Sequence, residues 1–156
     1  MPNFEPSTRE MVSYIGYGLR CDASPASIVT GQNHIFRVSG RIWMIDLIGI
    51  VTTVLQTAAL TLHWDVDADV GGDVALNVTS ADLTGSAVGL MLELPAAVGG
   101  NLTIPAAGAY LKLFPAIGWV ISASYLDLHA SADRTGVIKW SVFYYPLEDG
   151  ASVSAV

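Results

Sequence analysis

The stretch Leu60-Thr-Leu-His-Trp-Asp-Val-Asp-Ala-Asp-Val70 alternates strictly between apolar and polar side chains. Its even-numbered positions are apolar, and its odd-numbered positions carry Thr61, His63, Asp65, Asp67 and Asp69. Because successive side chains of a β-strand point to opposite faces, this period of two indicates a strand. One face of that strand should be buried and the other should face water.

The same period recurs along the chain in short segments that end at glycine, proline or turn residues. These segments cover residues 36–47, 50–55, 74–78, 90–94, 110–114, 119–129 and 137–145. Gly49 is expected to form a bend or a bulge between the first two, and the turn-like composition of residues 131–136 predicts a long hairpin from the last two. Short strands without a convincing helical segment predict an all-β fold, an antiparallel sandwich or barrel of the jelly-roll-like kind.

The first 33 residues differ from the rest of the chain. They contain Pro2, Pro6 and Pro25 and show no sustained hydrophobic period. We therefore predict an irregular N-terminal arm over residues 1–33, followed by a β-domain over residues 34–156. We expect the arm to pack against a neighbouring subunit, since free termini are poorly ordered unless something holds them.

The composition of the 156-residue chain excludes several classes of partner. Charged residues make up 13% of the chain, against roughly 25% in ordinary soluble domains, and the formal net charge is -7. An acidic chain cannot displace the counterions of nucleic acid. The most apolar stretch, residues 42–51, contains Asp46 and is too short to span a membrane. With 52% apolar residues, the chain is instead expected to bury surface against other copies.

Acidic residues are concentrated in the middle of the chain. No Lys or Arg occurs between Arg41 and Lys112, whereas the same stretch holds seven acidic residues. The sequence therefore predicts an acidic face, whose complement would be a basic surface or a cation. The residues assigned to this face are Asp65, Asp67, Asp69 and Asp73.

The run Asp65-Val-Asp67-Ala-Asp69 begins like a calcium-binding loop. However, Val70 stands at loop position six and Leu76 at position twelve, where such a loop needs Gly and Glu. Carboxylates at alternate positions of one strand also lie in a line and do not converge. We therefore predict no metal site.

Catalytic motifs are missing from the sequence as well. The three histidines, His34, His63 and His129, accompany no G-x-S-x-G motif and no glycine-rich phosphate loop, and Cys21 is the single cysteine. We predict no enzymatic activity and no cofactor. The strand aromatics are expected to serve as core or interface anchors, and the interface candidates are Trp43, Trp64, Trp119, Trp140, Tyr144 and Tyr145.

Several stretches between residues 34 and 156 resemble a family of small proteins encoded among the virion structural genes of tailed bacteriophages. The stretches are Val38-Ser-Gly-Arg-Ile42, Gly49-Ile-Val-Thr-Thr53, Ala81-Asp-Leu-Thr-Gly-Ser-Ala-Val-Gly89, Thr135-Gly-Val-Ile-Lys-Trp140 and Tyr145-Pro-Leu-Glu-Asp-Gly-Ala-Ser-Val153. The resemblance implies a virion component and supplies no catalytic or binding residues.

Composition and resemblance together predict a capsid decoration (cement) protein on the exterior of a phage head. Such a protein would be made in the host cytoplasm, form a homo-oligomer with a trimer favoured, and contact the major capsid protein, with no nucleic acid or membrane partner. One alternative is a structural protein of the tail, baseplate or fibre base. A second alternative is a glycan-binding adsorption module, which would present an exposed tryptophan near carboxylates.

Overall fold

The computed structural model of this protein describes residues 18–95, 100 and 118–156, and none of these residues lies in a helix. Within these residues, ten strands form two antiparallel sheets, which confirms the all-β prediction and makes the fold a sandwich. The strands are β1 (Leu19–Ala23), β2 (Gly31–Ser39), β3 (Ile42–Thr53), β4 (Leu62–Ala68), β5 (Val74–Ala75), β6 (Met91–Glu93), β7 (Trp119–Ile121), β8 (Ser124–Ala130), β9 (Val137–Pro146) and β10 (Ser152–Ala155).

The two sheets draw their strands from all parts of the described chain. The first sheet has the order β1-β9-β3, and the short strands β6 and β7 pair with the other edge of β3. The second sheet has the order β10-β2-β8-β4-β5. Consecutive strands therefore often lie in different sheets, and the chain crosses repeatedly from one layer to the other.

Two tryptophans meet at the centre of the core. Trp64 of β4 and Trp140 of β9 are both buried, and their rings lie edge to face with centroids 4.9 Å apart. Phe36 of β2 is also close to Trp64, with ring centroids 6.3 Å apart. Leu62 and Val66, which flank Trp64 at alternate positions of β4, are buried with it. The alternation thus predicted the buried face correctly from Leu60 to Val66, whereas Ala68 is only partly buried and Val70, beyond the end of β4, is 92% exposed.

The predicted single strand over residues 36–47 is wrong, because the chain turns back at Gly40. This glycine has a φ of +71°, and a Cβ there would lie 2.8 Å from Glu148 Oε1. The apolar period continues on both sides of the turn, so it could not reveal that β2 and β3 belong to different sheets.

The predicted bend at Gly49 is also wrong, since β3 runs without interruption from Ile42 to Thr53. Gly49 is paired across the sheet with Trp140, and a Cβ on Gly49 would lie 2.5 Å from the indole ring. Glycine is therefore required at this position, because any side chain would collide with the indole ring of Trp140.

The predicted hairpin of residues 119–129 and 137–145 is wrong for a topological reason. β8 lies between β2 and β4 in the second sheet, whereas β9 lies between β1 and β3 in the first. The turn-rich connection crosses between the sheets, and Arg134 within it exchanges backbone hydrogen bonds of 3.2 and 2.9 Å with Ile28. Turn composition alone does not distinguish such a crossing from a hairpin.

The predicted boundary between arm and domain requires correction. It falls inside β2, and β1 pairs along its whole length with β9, from Leu19 opposite Tyr144 to Ala23 opposite Trp140. A five-residue edge strand is too short to show a sustained period. Residues 1–17 of the predicted arm, and the predicted strand over residues 110–114, lie outside the described residues.

Edge strand β1 is held to β9 by polar contacts around Asp22. This carboxylate accepts hydrogen bonds from Arg20 at 2.6 and 2.9 Å and from the Ser141 hydroxyl at 2.7 Å, and it lies 3.0 Å from Lys139 Nζ. Partial burial raises the pKa of Asp22, but the hydrogen bonds from Arg20, Ser141 and Lys139 outweigh it and lower the pKa to about 2.

We expect the substitution Gly49→Ala to destabilise the protein by about 1–3 kcal/mol, the usual cost of adding a methyl group to a full core. Gly72→Ala is the matched control, because a Cβ at Gly72 meets nothing within 4 Å, and its cost should stay within about 0.5 kcal/mol. Urea unfolding measures both. Equal midpoints for the two variants would show that Trp140 does not require the glycine.

We expect Asp22→Asn to lower the free energy of unfolding at pH 7 by about 0.5–1 kcal/mol, the range for partly exposed ion pairs. Because the folded-state pKa is depressed, this stabilisation is present above the unfolded pKa of about 3.9 and disappears as the pH falls towards 2. Urea unfolding of both proteins between pH 2 and 7 tests this. Asp149→Asn, at an exposed position, is the control, and a difference that does not depend on pH would contradict the assignment.

Candidate functional site

The outer side of the second sheet carries a grid of polar side chains, which we call the histidine–aspartate face. Cross-strand pairing aligns it in three rows over β4, β8 and β2, and it contains all three histidines of the chain. The first row holds His63, His129 and Gln32, the second holds Asp65, Asp127 and His34, and the third holds Asp67, Tyr125 and Arg37.

Two aspartates lie directly opposite each other in the middle row. Like charges in this position destabilise a sheet unless other groups compensate them. Asp127 is compensated from β2, because His34 Nδ1 lies 2.7 Å from its Oδ1 and the Gln32 side-chain amide donates to its Oδ2. The ring of His34 also stacks on Tyr125 at 4.2 Å, and the Asp127 side chain is completely buried.

Asp65 lies beside the other two histidines. Its Oδ2 lies 3.1 Å from His129 Nε2 and 3.7 Å from His63 Nε2. The two imidazole rings are stacked, with centroids 4.5 Å apart and an angle of 14° between their planes. Burial lowers the pKa of His63, Asp65 raises it, and His129 lowers it again, so that the net shift is downward. His63 is therefore biased towards the neutral form, which can donate a nitrogen lone pair.

Arg37 lies at the end of the histidine–aspartate face, in its third row. Its guanidinium binds both carboxylate oxygens of Asp69 and lies over the Tyr125 ring, 4.7 Å from the centroid. The hydrogen bond from Arg37 lowers the pKa of Asp69 and keeps this carboxylate ionised. Arg37 is the single Lys or Arg within the five strands of the second sheet as the structure describes them.

The four residues predicted to form an acidic face occupy three different environments. Asp65 and Asp67 lie on the outer side of β4, as the alternation predicted. Asp69 follows β4 and is neutralised by Arg37, whereas Asp73 is exposed between β4 and β5.

The predicted aromatic interface set divides into core and surface residues. Trp64, Trp140 and Tyr144 are buried, which removes them from the set that a partner could reach. Trp119 is partly buried against the core. Trp43 and Tyr145 form a tilted ring pair, 5.8 Å between centroids, on the outside of the first sheet.

The outside of the first sheet carries a second distinct surface, which we call the apolar face. Its residues are Trp43, Ile48, Ile50, Val120, Phe143 and Tyr145, from strands β3, β7 and β9. Val120 and Tyr145 flank Trp43 on the two neighbouring strands, and Val120 is 65% exposed. Charged residues lie beside this apolar face on the same side of the sheet: Arg20 and Lys139, which pair with Asp22, and Glu93, which is opposite Ile48. The sandwich thus presents an acidic, histidine-rich patch on one outer side and an apolar patch on the other.

Sequence reasoning missed Asp127, and it did not place the three histidines together. A signal was present, because Tyr125, Asp127 and His129 alternate with apolar residues within the predicted strand over residues 119–129. Assigning that strand to a hairpin with β9 concealed its true neighbours, β2 and β4. The expectation that aspartates of one strand do not converge considered β4 alone. The structure instead brings together side chains from different strands, in one group of His63, Asp65 and His129 and in another of His34, Asp67 and Asp127.

A comparison with protein-family models, with curated proteins and with solved structures finds no match for this chain. The resemblance to tailed-phage virion proteins therefore stays a prediction. Among the described residues, no helix has the length and hydrophobicity needed to cross a membrane.

Proposed function

We propose that this chain is a structural protein of a tailed-phage virion, and specifically a capsid decoration (cement) protein that stabilises the head by bridging capsomers. The observation that carries the proposal is the difference between the two outer sides of the sandwich, one apolar and one acidic. A small protein with two such surfaces is suited to hold two kinds of neighbour at once. The resemblance described above supports placing it in a virion.

The apolar face is proposed to contact other copies of the chain. Each copy has a net charge of -7, so copies repel each other, and the repulsion is lower at the apolar face, where the nearby charges of Arg20, Asp22 and Lys139 pair with one another. Burying exposed side chains such as Val120 and Ile50 contributes about 25 cal/mol for each Å² removed from water. A trimer is the favoured assembly.

The histidine–aspartate face and the neighbouring Asp73 are proposed to meet a basic surface of the major capsid protein. Complementary charge speeds the encounter and selects the partner. A protein that binds the assembled shell and not its separated subunits stabilises the shell by mass action. In this role the chain acts on the capsid exterior, after synthesis in the host cytoplasm, and carries no catalytic activity.

We expect the purified chain to be an oligomer at micromolar concentration in size-exclusion chromatography with light scattering. Val120→Asp should convert it to a monomer, because the substitution places a charge on the apolar face. Val70→Asp is the matched control at a valine that is 92% exposed near the other face, and it should leave the oligomer intact. A monomeric wild type, or equal behaviour of the two variants, would contradict the assignment of the apolar face.

Imaging of virions labelled on this chain tests the location directly. We expect label over the whole head surface, and we expect high salt to release the chain, because the proposed contact with the capsid is electrostatic. Label confined to the tail, baseplate or fibre base would replace the decoration role with the structural alternative. Particles without label would overturn the virion assignment.

A further inference from the structure

We infer that His63, Asp65 and His129 form a binding site for one divalent transition-metal ion, with Zn²⁺ as the ion of choice. The inference concerns the first row of the histidine–aspartate face and its neighbour Asp65, and it does not depend on the proposed virion role. It rests on the distances between the three donor atoms, on an unsatisfied carboxylate oxygen and on the chemistry of the donor set.

The distances between donor atoms suit a tetrahedral ion. Zinc binds imidazole nitrogen and carboxylate oxygen at about 2.0–2.2 Å, which places neighbouring donors of a tetrahedron about 3.3–3.6 Å apart. Asp65 Oδ2 lies 3.1 Å from His129 Nε2 and 3.7 Å from His63 Nε2, on either side of that range. The donor atoms of the three residues all lie within 4.8 Å of one another. For both imidazoles to bind one ion, the two rings must also rotate out of their stacked arrangement, so that both nitrogen lone pairs point to the same position.

The hydrogen bonds of this cluster leave some of the lone pairs of the three side chains unused. The separation of 3.7 Å between His63 Nε2 and Asp65 is too long for a hydrogen bond. Asp65 Oδ1 is buried and has no hydrogen-bond partner among the described residues, although a buried carboxylate oxygen normally has one. A cation beside Asp65 would satisfy the carboxylate and would bind one nitrogen of each imidazole ring.

A second cluster on the same face is less suited to an ion. His34, Asp67 and Asp127 also place donor atoms within 4.8 Å of one another. However, His34 Nδ1 already bonds Asp127 at 2.7 Å, and the other oxygen of Asp127 accepts the Gln32 amide. An ion there would have to break both of those hydrogen bonds, whereas an ion at Asp65 Oδ2 would replace only its 3.1 Å contact with His129 Nε2, and Asp65 Oδ1 has no partner to lose.

The donor set determines the class of metal. Two imidazoles and one carboxylate suit zinc and its first-row neighbours, whereas Ca²⁺ and Mg²⁺ prefer all-oxygen sites. Three protein ligands leave one tetrahedral position for a water molecule. His63 and His129 are directly opposite each other on β4 and β8, so a bound ion would also tie these two strands together.

Calorimetric titration of the metal-free full chain with zinc sulfate tests the inference. We expect one ion per chain and a rise in the thermal unfolding midpoint, because the ligand binds the folded state. His63→Gln and His129→Gln should each weaken binding by more than about 10-fold. Removing only a hydrogen-bond partner of a metal ligand can already weaken binding by that factor, and these substitutions remove the ligand itself. Co²⁺ should give the visible absorption of a tetrahedral complex, and Ca²⁺ and Mg²⁺ should give no binding.

His34→Gln is the matched control, because it removes a histidine from the same face but outside the proposed site. It should bind Zn²⁺ like the wild type. No Zn²⁺ binding by the wild type would overturn the inference, as would retained binding in both His63→Gln and His129→Gln, or loss of binding in His34→Gln alone. If either test variant fails to unfold cooperatively in urea, Asp65→Asn, which keeps the shape of the side chain, takes its place.

Discussion

The edge-to-face contact between Trp64 and Trp140 is the interaction on which the rest of the structure depends. It joins the two sheets at the centre of the core, and it requires Gly49 on the neighbouring strand, since any larger side chain there would occupy the space of the indole. Aromatic pairs in this arrangement add about 0.5–1.5 kcal/mol beyond the area they bury. With the two central strands fixed in this way, the direction of every outward-facing side chain on them is fixed as well.

The consequence is a sandwich whose two outer sides differ in chemistry. On β4 the residues that alternate with the core positions are His63, Asp65 and Asp67, whereas on β3 they include Trp43 and Ile50. One sheet therefore presents groups that bind charges, and the other presents groups that bind apolar surfaces. Both the proposed assembly role and the inferred metal site follow from this division.

The strands with strong alternation were predictable from the sequence, and their neighbours were not. The buried face of β4 could be predicted directly from residues 60–66, because a period of two has one structural interpretation there, but the same period did not show that the strand ends before Val70. The turn at Gly40 and the crossing at residues 131–136 were misassigned, because local composition marks a change of direction without saying which sheet the chain enters next. β1 was missed because five residues are too few to establish a period.

The candidate site also shows that the sequence predicts which way a side chain faces on its strand, but not which strands lie next to each other. The sequence by itself determined that His63, Asp65 and Asp67 lie on the wet side of one strand, since side-chain alternation is a local property of the backbone. Only the tertiary structure decided that His129 faces His63, and that Asp127 faces Asp65 with His34 on its other side. These residues are 66, 62 and 93 positions apart in the chain, and strand order, which brings them together, is decided by packing across the whole core.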